Sequence, residues 1–192
     1  MWRYAALWAA VFALVMLFML GYLPIPLAVP SWAADAYKPV AYTAPGDGFD
    51  AVVASPRWCG GALVIVYWFH WGYDGYEQRD DWEPVLVAVD GGSVRVAARV
   101  HWRWRFAGQP VLENGTHPVV VFGYLWHTPL FTYPPTGYVR VGYEPVVAPD
   151  PQPVDPCAVV GMDTGVVLQD ALAASVVATC ATVIYWAARE TV

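Results

Sequence analysis

The chain has 192 residues, 58% of them hydrophobic and 14% charged, with a formal net charge of −6. So much apolar residue and so little charge excludes a disordered chain, and the acidic balance excludes nucleic acid as a partner. The 11 Trp, 12 Tyr and 17 Pro are unlike a helical membrane bundle, so the apolar content divides between lipid-spanning segments and a β-rich core.

Residues 2–23 are apolar apart from Arg3. About 20 such residues span a bilayer, and Pro24, Pro26 and Pro30 then end the helix. Trp2, Tyr4, Tyr22 and Trp32 sit where interfacial aromatic belts form. The segment therefore reads as a transmembrane anchor. The alternative is a cleaved signal peptide over 1–33, because Ser31-Trp32-Ala33 resembles a small-x-small cleavage site. Either reading exports the middle of the chain.

Residues 34–155 carry strand signals. The runs 62–68 and 84–89 are continuous and rich in β-branched residues, as buried strands are. Asp90-Gly91-Gly92-Ser93 is a turn, and 94–105 returns as an alternating strand with Arg95, Arg99, His101, Arg103 and Arg105 on one face. Further strands are expected at 119–125 and 138–147. Turns at 45–48, 108–110 and 134–137 complete the pattern of an antiparallel sandwich. Asn114-Gly115-Thr116 is a glycosylation sequon and equally a hairpin turn. Pro149, Pro151, Pro153 and Pro156 make 148–156 a stiff linker.

Residues 166–188 form the second apolar block, with Asp163 and Thr164 as N-cap candidates, Asp170 in its first turns and Arg189 beyond its end. Arg3 and Arg189 then place both termini in the cytoplasm. The predicted fold class is an all-β sandwich ectodomain flanked by N- and C-terminal transmembrane α-helices. Its parts are an anchor at 1–33, a sandwich at 34–155, and a linker with the second helix at 156–192. The predicted location is the cell membrane with the main domain extracytoplasmic. Of three cysteines, Cys180 lies in the second helix, while Cys59 and Cys157 are disulfide candidates in the exported part. Lysine and asparagine occur once each, the usage of a GC-rich or thermophilic source.

Five carboxylates, Asp74, Glu77, Asp80, Asp81 and Glu83, fall within ten residues. Most such clusters are solvated loops. Here Asp81 and Glu83 alternate with Trp82 at the start of a strand, so both carboxylates project to one face. They repel unless a cation or an arginine lies between them, and Ca²⁺ and Mg²⁺ favour such oxygens. The hairpin at 90–93 brings His101 to the level of residue 82 or 83. His127 ends a strand behind a run of aromatics. His70 and His117 read as surface or hydrogen-bonded residues.

Ile65-Val66-Tyr67-Trp68-Phe69, then Asp74, then Asp81-Trp82-Glu83-Pro84-Val85-Leu86-Val87 resembles the necrosis-inducing protein superfamily and its vacuolar-sorting-like relatives. Val100-His101, His117-Pro118-Val119-Val120-Val121 and His127 continue that resemblance, which covers about residues 62–128. It implies a β-sandwich with a divalent-cation site whose acidic ligands match Asp74, Asp81 and Glu83; with His101 and His127 these are the candidate metal ligands of the chain. Where the toxin branch has Gly-His-Arg-His, this chain reads Glu77-Gln78-Arg79-Asp80, with Gln78 in place of the ligand histidine. The resemblance therefore implies the fold and the site's position, and not the toxin activity.

The function expected from these readings is a membrane-anchored β-sandwich binding a divalent cation and a glycan or lipid headgroup. The alternative is a structural or accessory subunit of a membrane or envelope assembly. The corresponding partners are membrane lipid, other membrane proteins or further copies of the chain. The sequence has no Gly-x-Ser-x-Gly, phosphate-loop, HExxH or CxxC pattern, and no catalytic residue is assigned.

Overall fold

In the computed structural model, which describes residues 29–73 and 80–161, the apolar run at 62–71 becomes an inner strand of a six-stranded sheet. In chain order the elements are α1 (Ala33–Ala36), β1 (Val40–Thr43), β2 (Ala51–Cys59), β3 (Ala62–Trp71), β4 (Asp81–Asp90), β5 (Ser93–Val100) and β6 (Arg103–Phe106). They continue with β7 (Leu112–Glu113), β8 (His117–Phe122), β9 (Pro129–Leu130), β10 (Val139–Val141), β11 (Val146–Val147) and α2 (Pro156–Gly161). Leu27–Pro156 make one compact unit.

The large sheet runs β11-β2-β3-β4-β5-β6; β2 to β6 form an antiparallel meander, and β11 pairs with β2 in parallel. The second sheet runs β10-β1-β8, with β7 and β9 on the far edge of β8. Strand alternation sends Leu63, Ile65, Tyr67, Phe69 and Trp71 of β3 inward, where they meet Ala41, Val120 and Phe122 of the second sheet in one apolar core. Tyr67 is fully buried and donates its hydroxyl to Ala34 O at 2.7 Å, which anchors α1. Burial pushes its pKa well above the ordinary value.

The outer face of β3 and β4 is buried as well: Val64, Val66, Trp68, Leu86 and Ala88 have no solvent exposure. This explains why both strands read as unbroken apolar runs rather than alternating ones. The proline-rich stretch after β11 is a strap on this face. Ser55 Oγ donates to Ala148 O at 2.6 Å, Trp68 Nε1 to Asp150 Oδ1 at 2.8 Å, and Arg99 to Gln152 Oε1 at 2.7 Å. Arg57 pairs with Asp150.

Several expectations are corrected. Among the described residues no helix is long and apolar enough to cross a membrane. The two described helices have 4 and 6 described residues, and at 1.5 Å per residue even the longer described stretch covers about 9 Å of a core roughly 30 Å thick. The segments 2–23 and 166–188, with Asp163, Thr164 and Asp170, lie outside the described residues. Among the described residues the fold is a β-sandwich with two short helices, and none of them supports flanking transmembrane helices or a cell-membrane location with cytoplasmic termini. The strand expected at 94–105 breaks at His101 and Trp102. Pairing Arg99↔Trp104 and Val100↔Arg103 then splits the arginines, with Arg95 and Arg99 on the outer face and Arg103 and Arg105 on the other. Likewise 138–147 supplies β10 to one sheet and β11 to the other.

Candidate functional site

At one end of the sandwich the segments at 44–50, 71–72, 81 and 123–128 are tied together. The Pro45-Gly46 turn, with Gly46 at φ +81, is closed by Asp47 N–H donating to Ala44 O at 3.1 Å. It directs Asp47 toward the end of β3, where the Trp71 indole N–H donates to Asp47 O at 3.2 Å. Asp50 receives the Gly72 N–H at 2.8 Å. Trp71 stands opposite Asp81 across the β3–β4 ladder, and Phe69 opposite Glu83, so both acids share the inner face.

The loop after β8 brings the histidine. Gly123 N–H donates to Thr128 O and His127 N–H to Gly123 O, at 3.1 and 3.0 Å. Leu125 and His127 both have positive φ, at 64° and 44°. Such conformations cost a non-glycine residue about 1–3 kcal/mol and persist only where the surroundings hold them. The surroundings do. The imidazole stacks on Trp71 at 4.2 Å with 5° between planes, and its residue is 1% exposed. Its Nδ1 lies 2.9 Å from Asp81 Oδ2 and its Nε2 3.2 Å from Asp47 Oδ1. Leu125 N–H donates to Asp47 Oδ2 at 3.3 Å.

Both ring nitrogens face carboxylates, which accept and do not donate, so the doubly protonated imidazolium fits the site. Burial acts to lower the imidazole pKa, but the hydrogen bonds from Asp81 and Asp47, with their charges, outweigh it and raise the value above 6.5. Two acids and one imidazolium leave the centre acidic by one charge. Each carboxylate keeps lone pairs for a hydroxyl or an ammonium from outside. Tyr73, Tyr124 and Trp126 stand exposed on the same loops.

Of the expected cation ligands, Asp81 and His127 come together, but as partners of one another. Glu83 shares Asp81's face. His101 is carried outward on an exposed turn, and Asp74 lies outside the described residues. Among the described residues no group of three or more His, Cys, Asp or Glu is arranged to hold a metal ion. Metal binding thus finds no support among the described residues, where His127 lies hydrogen-bonded between Asp81 and Asp47. Asp47 was not foreseen as part of a site. Its only sequence signal was the turn at 45–48, and nothing local couples that turn to a histidine 80 residues on.

The remaining candidates lie elsewhere. His70 packs against Trp82 on the outer face, with ring centroids 4.4 Å apart and planes tilted by 37°. Asn114 and His117 line a separate cleft of about 360 Å³ at the opposite end of β8, with Lys38, Glu113 and Arg140. Asn114, at φ 53, and Gly115, at φ 77, form the exposed β7–β8 hairpin turn. Cys59 and Cys157 are each disulfide-bonded.

Among solved structures, NLPPya in complex with glucosamine matches 66% of this chain and 76% of its own, at 18% identity and TM-score 0.50. The domain shares its fold with NLPPya. Necrosis and Ethylene inducing Protein 2 from the causal agent of cocoa's Witches Broom disease matches 66% of this chain and 75% of its own, at 20% identity and TM-score 0.48. NLPPya in complex with mannosamine matches 65% and 74%, at 17% identity and TM-score 0.49. These neighbours are necrosis and ethylene-inducing (NLP) toxin-fold proteins, the necrosis-inducing side of the resemblance over residues 62–128. No family model matches the chain, and no curated protein does.

Proposed function

We propose that this NLP-fold domain binds a carbohydrate, with an amino sugar as the best-matched class, at the loop end of the sandwich. The observation that carries the reading is the Asp47–His127–Asp81 cluster stacked on Trp71. It is an acidic hydrogen-bonding centre joining the start of β4 to two loops, and the same loops and the end of β3 carry the exposed rings of Tyr73, Tyr124 and Trp126. Carboxylates pair with ring hydroxyls and with a sugar ammonium, and aromatic rims cover the apolar face of a pyranose. The glucosamine complex of NLPPya supports the reading by analogy of fold.

Isothermal titration of the full chain with glucosamine tests it. A ligand of about twelve non-hydrogen atoms at ~0.3 kcal/mol each has a Kd of a few millimolar. Asp81→Asn and Asp47→Asn should each weaken binding by about tenfold, the effect of losing one hydrogen bond to a charged group. Absence of saturable binding, or an Asp81→Asn variant indistinguishable from the parent, overturns the proposal.

A further inference from the structure

The β5–β6 turn is built from two residues that resist it. His101 and Trp102 both have positive φ, at 48° and 68°. The Asp90-Gly91-Gly92-Ser93 hairpin meets the same demand with two glycines, at 52° and 86°. A histidine and a tryptophan there are costly to the backbone, so the fold retains them against local preference. The result is an indole presented to solvent: Trp102 is 83% exposed, more than any other large hydrophobic residue described.

The indole is nevertheless seated. The Arg99 guanidinium lies 5.8 Å from the Trp102 ring centroid and 5.6 Å from that of Trp68, which is fully buried. Arg99 in turn donates to Gln152 of the strap at 2.7 Å. One face of the exposed ring therefore rests on a cation fixed from two sides, which restricts its rotamers. The β4–β5 pairing ends at Val85↔Ala98, which puts the β5–β6 turn at the same end of the sheet as Asp81. Trp102, seated on Arg99, belongs to the outer face of that end, whereas Asp81 opens on the inner face.

We propose that Trp102 is a second sugar contact, a stacking platform that takes the apolar face of a further pyranose when the ligand is an oligosaccharide. This rests on the carbohydrate reading of the Asp47–His127–Asp81 centre and adds chain length as the property recognised. A flat ring backed by a cation matches the axial C–H face of a pyranose, whose hydroxyls point outward to water. With the two on opposite faces of that end, a single sugar at Asp81 leaves the indole uncovered.

The test is a titration of the full chain with glucosamine and with its β-1,4-linked dimer and trimer, for the parent, Trp102→Ala and Trp102→Phe. The parent should bind the trimer roughly three- to tenfold more tightly than the monomer, the range a ring-stacking contact supplies. Trp102→Ala should remove that gain and leave monomer affinity unchanged, while Trp102→Phe keeps part of it. Thermal unfolding of both variants should match the parent, since the indole is exposed. If the parent binds glucosamine but gains nothing from added rings, or Trp102→Ala weakens monomer and trimer equally, the platform is wrong and the carbohydrate reading stands. If the parent binds none of the three sugars, both readings fall.

Discussion

Replacing His127 with alanine removes a fully buried imidazolium from between two acids. Two charge-assisted hydrogen bonds are lost, each worth about 1.5–3 kcal/mol, together with a ring stack on Trp71 of about 0.5–1.5 kcal/mol. The side chains of Asp47 and Asp81 are 13% and 16% exposed, so water recovers part of the loss. A net cost of about 3–4 kcal/mol follows, close to that of breaking other buried ion pairs. For a domain of this size that is a fall of roughly 10–15 °C in Tm. The loss also has a pH signature. The folded imidazole holds its proton above its ordinary value of 6.5, so its contribution is complete below that value and is lost as pH rises through the folded pKa. Scanning calorimetry of parent and variant at about pH 5.5 and about pH 8.5 should therefore show the larger gap at the lower pH. An equal gap at both, or a fall of under about 3 °C, would refute the ion-pair account.

Asp150→Ala leaves the buried Trp68 indole N–H and Arg57 without their acceptor, and should cost about 2–3 kcal/mol in urea unfolding. Gly46→Ala forces a side chain into φ +81, should cost about 1 kcal/mol or more, and should weaken glucosamine binding because Asp47 is the next residue. Cys59 and Cys157 should each resist alkylation in denaturant until reductant is added, as read by peptide mass.

What the residues disclose locally was legible. The hairpin at 90–93, the strands around 62–68 and 84–89, and the shared face of Asp81 and Glu83 follow from period-2 patterning and turn chemistry. What depends on distant partners was not. β2 carries Pro56 and Arg57 and lacks a strand pattern, yet it is held by β3 on one side and β11 on the other. The arginine face failed because His101-Trp102 carries no glycine to announce a turn. Period alone cannot say that Val146–Val147 leaves its neighbours at 139–141 for the other sheet. The site was half visible: the acid-strand motif pointed to Asp81 and the strand end to His127, but Asp47 and Trp71 join them only through tertiary packing.

The two parallel pairings set an order of assembly. β2 to β6 is a meander of neighbours and can zip up from short loops as the chain emerges. β1 must wait for β8, since Val40 pairs with Val119, and β2 waits for β11, since Val53 pairs with Val146. Until then the edge of β2 is an open template for other chains, and the core face of the meander lacks its cover. The acidic centre draws on residues 47, 81 and 127, so it comes into being only when this late closure is complete. On the carbohydrate reading, a sugar bound there would favour that step by mass action, and its affinity would report on the last step of folding.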